Sequence, residues 1–230
     1  MRPRYGDDVD VRSDLATAQQ QAWNALARPG TWWTGHQRVE LAATARAAMT
    51  EVNPLPPWTA PSTVEGGLPA DHVAPTAAHD AIYRVAAHAG TLSESWYEDM
   101  RDELTDLAYV EVVAIACAVA AVVGFRRAAG LEPWELSPPV DGEPSRTIPP
   151  DLVAAGLNWV RVTSPADEVA AVVQAFSSVP AEYQMLWSLA DAQYIPNLEM
   201  VDPRWTRGTL SRPQMELVAA RISKLRECFY

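Results

Sequence analysis

The sequence predicts an all-α protein, and three observations carry that expectation. Apolar residues recur at helical spacing along most of the chain. Runs that alternate apolar and polar residues, as half-buried strands do, are scarce. Helix-start signatures stand ahead of several of the apolar stretches.

Taken in order, the spacing predicts helices near 13–28, 35–50, 76–89, 92–102, 105–129, 165–177, 180–194 and 211–227. Thr91-Leu92-Ser93-Glu94 reads as a capping box for the fourth, and Ser211-Arg212-Pro213-Gln214 as one for the last. Ser164-Pro165 supplies a cap followed by proline at the first helical position of the sixth. Gly130 fits the stop of the fifth. Two segments break the pattern. Residues 53–75 are rich in proline and glycine, and residues 131–150 hold Pro133, Pro138, Pro139, Pro144, Pro149 and Pro150. Proline lacks the amide proton a helix needs, so neither stretch continues one. The second is read as a connector within a single domain of residues 1–230, between an N-terminal lobe of about 1–130 and a C-terminal lobe of 151–230.

Composition narrows the function classes. Hydrophobic residues make up 48% of the 230 and charged residues 20%, the balance of a chain that buries a core. A net charge of −11 repels phosphate backbones and offers nothing to anionic lipid, so neither nucleic acid nor a membrane surface is an expected partner. No apolar run follows Met1-Arg2-Pro3-Arg4, so no signal peptide is expected. The longest apolar stretch, 112–123, is shorter than the roughly 20 residues of a membrane span and reads as a buried helix. Two cysteines, Cys117 and Cys228, make no disulfide framework, which suits a reduced, cytoplasmic protein.

The two halves echo each other. Leu104-Thr105 precedes Tyr109-Val110-Glu111-Val112-Val113-Ala114, and Leu210-Ser211 precedes Gln214-Met215-Glu216-Leu217-Val218-Ala219. A degenerate duplication accounts for this, and so does the frequency of Glu-apolar-apolar-Ala in helices. Glu111 stands directly before the long apolar run. Buried, its carboxyl would be raised toward the range useful for proton transfer; near the helix start, it could equally face solvent and ease the helix dipole. Glu216 lies twelve residues before Cys228. Twelve steps of a straight helix turn the thiol about 120° away from the acid. The two meet only if the helix breaks or a subunit contact joins them.

Leu210-Ser211-Arg212-Pro213-Gln214-Met215-Glu216-Leu217-Val218-Ala219-Ala220-Arg221-Ile222-Ser223, followed by Arg226-Glu227-Cys228-Phe229-Tyr230, resembles the alkylhydroperoxidase D-like proteins of the carboxymuconolactone decarboxylase superfamily. Gly30-Thr31-Trp32-Trp33-Thr34-Gly35, Tyr109-Val110-Glu111 and Gly142-Glu143-Pro144-Ser145-Arg146 look like its long, two-halved, peroxidase-related members. The resemblance implies an alkylhydroperoxidase D-like helical fold of two degenerate repeats, a homo-oligomer, and reduction of a hydroperoxide substrate by a dithiol reductant. Glu216 matches the family's proton-relaying glutamate, and Cys228 the first, resolving cysteine of its Cys-x-x-Cys motif. The second, attacking cysteine would fall one position past Tyr230 and the family's histidine five past it. Twelve residues on from Glu111 stands Val123, so the first half supplies no replacement. The apolar ending Phe229-Tyr230, without the usual helix-closing residues, leads us to expect that the sequence is a shortened version of a longer chain.

No cofactor or metal is expected. His36, His72, His79 and His88 are spaced unlike the usual zinc ligand pairs, and His79 and His88 read as ordinary helix residues. Trp32, Trp33 and Trp58 read as packing beside loops, Cys117 as a small hydrophobe, and Arg126-Arg127 as complements to a helix C-terminus. Three functions follow: a thiol-dependent peroxidase-like oxidoreductase; a non-catalytic helical protein that keeps the fold for oligomerisation or partner binding; and, more weakly, lactone decarboxylation.

Overall fold

The computed structural model describes residues 10–50, 68, 70–154, 158–163 and 171–225. It is predominantly helical. The helices are α1 (Ser13–Ala25), α2 (Gly35–Ala48), α3 (Thr76–His88), α4 (Glu94–Glu103), α5 (Asp106–Ala128), α6 (Ala171–Gln174), α7 (Pro180–Gln193) and α8 (Arg212–Leu225). Two short strands, β1 (Leu152–Val153) and β2 (Val162–Thr163), pair antiparallel with Leu152 opposite Thr163.

Local chemistry explains most helix ends. Thr34 opens α2 with a full capping box: its hydroxyl accepts from the Gln37 amide while the Gln37 side chain reaches back to the Thr34 amide. The capping box expected at Thr91 is replaced by a one-way side-chain cap two residues on. Ser93 caps α4 by accepting from the Trp96 amide, and Thr91 ends a short 3₁₀ turn with its hydroxyl donating to the His88 carbonyl. Thr105 caps α5, accepting from the Ala108 amide. At the other end, Gly130 has φ +70°, its amide donates to the Arg127 carbonyl, and Leu131 donates to the Arg126 carbonyl. That crossed pair is a Schellman ending, and it requires a residue free to adopt positive φ. Pro180 stands in the first turn of α7, where its missing amide proton costs nothing. At α8 the Ser211 amide donates to the Gln214 side chain, the back-reaching half of the expected box. Ser164-Pro165 lies outside the described residues.

The core is organised around α5. Helices α2 and α3 pack on it and on each other; α7 and α1 pack on it and on each other. Trp23, Leu26, Leu41, Ile82, Ile115 and Val119 are fully buried where these faces meet. Each aliphatic side chain so buried contributes about 1.5–3 kcal/mol. By length and composition α5 could cross a membrane, but 72% of its most apolar stretch is buried inside the protein, which accounts for its apolarity.

The proline-rich stretch 131–140 and the residues after it lie as an extended strap across the first two helices. Val140 donates to the Ala27 carbonyl, Ser145 to Gly30 and Arg146 to Thr31. The Trp23 indole and the Arg46 guanidinium donate to the Glu135 and Trp134 carbonyls. Backbone groups that prolines keep out of secondary structure thus find tertiary partners. Beyond the strap, α7 returns to the same core as α1 and α5.

Candidate functional site

Where α2, α5 and α7 converge, the loop 30–34 closes over a buried charge cluster. Arg38 stands in the first turn of α2, on the inward face that continues through Leu41, Ala42 and Ala45. Its Nη1 donates to Glu111 of α5 and, at 2.8 Å, to Glu182 in the first turn of α7. The Thr31 hydroxyl donates to the second Glu182 oxygen at 2.6 Å, and the Trp32 amide to the second Glu111 oxygen. No side chain of the three charged residues is more than 3% exposed. The loop passes so close that a Cβ on Gly30 would lie 2.0 Å from both Arg38 Nη1 and a Glu111 oxygen.

Electrostatically the cluster holds one cation against two carboxyl groups. Burial pushes the Glu111 carboxyl up to about 7; Arg38 opposes that, and Glu182 adds to it. The arrangement can therefore retain a proton near neutral pH. Its three charged side chains are at most 3% exposed, and none of them lines the groove described below. Of the two environments open to Glu111 from sequence, the buried one is realised. The cluster ties three helices and a loop together rather than presenting a reactive group.

The other glutamate has the opposite setting. Glu216 is exposed on α8, where Arg212 Nε donates to it at 2.5 Å and the Tyr194 hydroxyl at 3.4 Å. Arg212 is itself anchored on the Met200 and Asp202 carbonyls. Burial, then the Glu216 charge, raise the Tyr194 phenol above its ordinary value. No residue of α8 is buried, and Leu217, Val218, Ile222 and Leu225 are exposed. Cys228 lies outside the described residues, so its distance from Glu216 is not defined.

Between α3, α5 and α8 runs an open groove of about 880 Å³, with Cys117, Ala120 and Gly124 on its α5 side and Ile222 and Leu225 at its α8 edge. Cys117 is exposed on it, and desolvation by the packed helices pushes its thiol up to about 11. Read as a small packing hydrophobe, it stands open on the groove rather than enclosed.

Other candidates resolve into packing. Trp33 is buried with its indole donating to the Ala108 carbonyl. Arg146 lies over the Trp32 ring at 5.1 Å and Arg126 over Trp134 at 4.7 Å. Arg126 also donates to the Glu132 carbonyl, so it works inside the fold as well as at the end of α5. Trp58 lies outside the described residues. The histidines read as unrelated are partly brought together: one ring nitrogen each of His72 and His79 and an oxygen of Glu40 lie within 4.8 Å of one another.

No known family, no curated protein and no solved structure matches the chain.

Sequence reasoning missed Arg38, Glu182 and Thr31 as partners of Glu111. A signal was present: Arg38 occupies an inward position of a helix whose neighbours on that face are Leu41, Ala42 and Ala45. A charge on an apolar face needs a counter-charge. Spacing alone cannot say that Glu182, 71 residues beyond Glu111, would share it.

Proposed function

We propose that the chain is a thiol-dependent, peroxidase-like oxidoreductase of the alkylhydroperoxidase D type, with Glu216 as its proton-relaying acid and Cys228 as its resolving thiol. The observation that carries the reading is the setting of Glu216. Unlike Glu111, it is open to solvent, and Arg212 and Tyr194 orient it from two sides. A carboxylate so placed can exchange protons with a substrate and a thiol. The remaining support is the resemblance of 210–230.

In the reaction so implied, an attacking thiolate takes the terminal oxygen of a hydroperoxide, becoming a sulfenic acid and releasing an alcohol. The Cys228 thiol then displaces water from that sulfenic acid to form a disulfide, and an external dithiol restores both thiols. A reducing compartment such as the cytoplasm would keep the pair reduced between turnovers. The resemblance places the attacking cysteine one position past Tyr230, so the assay uses a chain that carries a cysteine at that position. It follows consumption of cumene hydroperoxide with dithiothreitol. Cys228→Ser should abolish turnover, and Glu216→Gln should reduce it about 100-fold or more, the usual contribution of a positioned proton donor. Unchanged turnover in Cys228→Ser, or none in the folded wild type, overturns the proposal.

A second reading, a non-catalytic protein that self-associates through this region, is favoured by the four exposed apolar side chains of α8 beside an open groove. It predicts an oligomer by sedimentation, dispersed by Leu217→Glu with Leu225→Glu, and slow alkylation of Cys228 at neutral pH. Rapid alkylation favours the enzyme instead.

A further inference from the structure

We infer that Glu40, His72 and His79 form a binding site for a divalent transition-metal ion of the zinc class, fastening α2 to the start of α3. Glu40 lies on α2, His79 on α3, and His72 on the segment that leads into α3. One donor atom from each falls within 4.8 Å of the others. His79 is buried and the other two are half-buried, which leaves one side open for water to complete the coordination.

Each donor is held by a partner of its own. The Thr44 hydroxyl donates to the Glu40 carbonyl one turn back, at 3.2 Å. The same hydroxyl lies 2.9 Å from His79 Nδ1 and holds that ring. His72 Nδ1 sits 2.7 Å from the Ala74 carbonyl, which can only accept, so this nitrogen carries a hydrogen and leaves Nε2 as the remaining one. Partners of this kind are the outer-shell pattern that orients metal-ligating histidines. The amides of Val73 and Ala74 donate to the two Glu40 oxygens at 2.8 and 3.4 Å, holding the carboxylate against the loop.

His79 Nε2 faces Glu40 Oε1 at 2.6 Å, a contact that a ring proton or a bound cation can bridge. Nearby, the His72 ring stands edge-on to His79 with centroids 5.7 Å apart, so a third donor is within reach of a cation but contributes nothing to a simple proton bridge. Two imidazoles and one carboxylate suit zinc, cobalt or nickel; calcium and magnesium prefer all-oxygen shells. Bonds of about 2.0–2.1 Å at tetrahedral angles place donors about 3.3 Å apart, so Glu40 and His79 need to separate by under about 1 Å.

The test titrates zinc chloride and cobalt chloride into metal-free full chain and into His72→Ala, Glu40→Gln and the double variant. The half-buried pair is chosen because His79→Ala would empty a core position. The expected result is one ion per chain, visible cobalt bands of a four- or five-coordinate site, and a zinc-dependent rise in Tm. His72→Ala and Glu40→Gln should each weaken binding at least tenfold while far-ultraviolet dichroism stays that of the wild type. Absence of stoichiometric binding overturns the inference. So does binding that persists undiminished in the double variant, which would assign the metal to other histidines or to Cys228. If the variants unfold, histidine Nε2 chemical shifts of the wild type decide: a zinc-dependent change at both His72 and His79 supports the site, and no change refutes it.

Discussion

Thr105 caps α5 and Ser211 stands before α8, and each helix carries a glutamate within its first two turns followed by apolar residues. In α5 the glutamate is fully buried against Arg38, and the helix forms the centre of the core. In α8 the glutamate faces solvent beside Arg212, and no residue of the helix is buried. The two stretches have the same local grammar and opposite surroundings. The difference lies in what reaches them from elsewhere: α2 and α7 bring a guanidinium and a second carboxylate to Glu111, whereas Glu216 meets a cation from its own helix, one turn away. A glutamate's position in a helix sets where it starts, and its long-range partners set what it can do.

Changing the two arginines should break this comparison most sharply. Arg38→Met leaves two buried carboxylates without their cation and should cost about 3–5 kcal/mol in urea unfolding. Arg212→Met removes an ion pair whose carboxylate is half exposed, together with donors to the Met200 and Asp202 carbonyls, and should cost about 1–2 kcal/mol. Equal losses would mean that α8 is held more firmly than its exposure indicates.

Gly30→Ala comes next. The added methyl cannot coexist with Arg38 Nη1 and the Glu111 oxygen in their present positions. Forced overpacking of this kind should cost about 1–3 kcal/mol. The same change at Gly124, where a Cβ meets nothing within 4 Å, should leave stability unchanged or slightly improved.

A smaller effect is the pH dependence of stability. Glu111 titrates near 7 in the folded chain, above its ordinary value of 4.5. Between those values the folded state holds more protons than the unfolded one, so this group's contribution is complete below 4.5 and is lost as pH rises through about 7. Urea midpoints should therefore fall between acid and mildly alkaline pH, and Glu111→Gln should flatten that slope. Smallest of all is the effect of Glu216→Gln on stability at pH 7, within about 0.5 kcal/mol of the wild type. Its effect on turnover should be far larger if Glu216 relays protons, and that contrast separates the two roles.

Much of the helical map was legible because it depends on neighbours a few residues apart. The ending of α5 at Gly130, the opening of α7 near Pro180 and the start of α8 behind Ser211 all follow from spacing and cap chemistry. The cap read at Thr91 fell instead on Ser93, two residues on, because Thr91 was taken up by a 3₁₀ turn. The strap of 131–150 was legible as non-helical but not as a lid on α1 and α2, because its hydrogen bonds to that part of the fold reach back 88 residues or more.

What the sequence determined by itself is therefore the helical class, most helix boundaries, and the presence of acids at the start of two helices. Those features are short-range, set by backbone geometry and the side chains within one turn. The tertiary structure alone decided that Glu111 joins Arg38 and Glu182, that His72 and His79 converge on Glu40, and that α5 is enclosed while α8 is open. Each of those outcomes depends on which faces of distant helices meet. A side chain's burial and counter-charge are properties of that meeting, and no spacing along the chain encodes them.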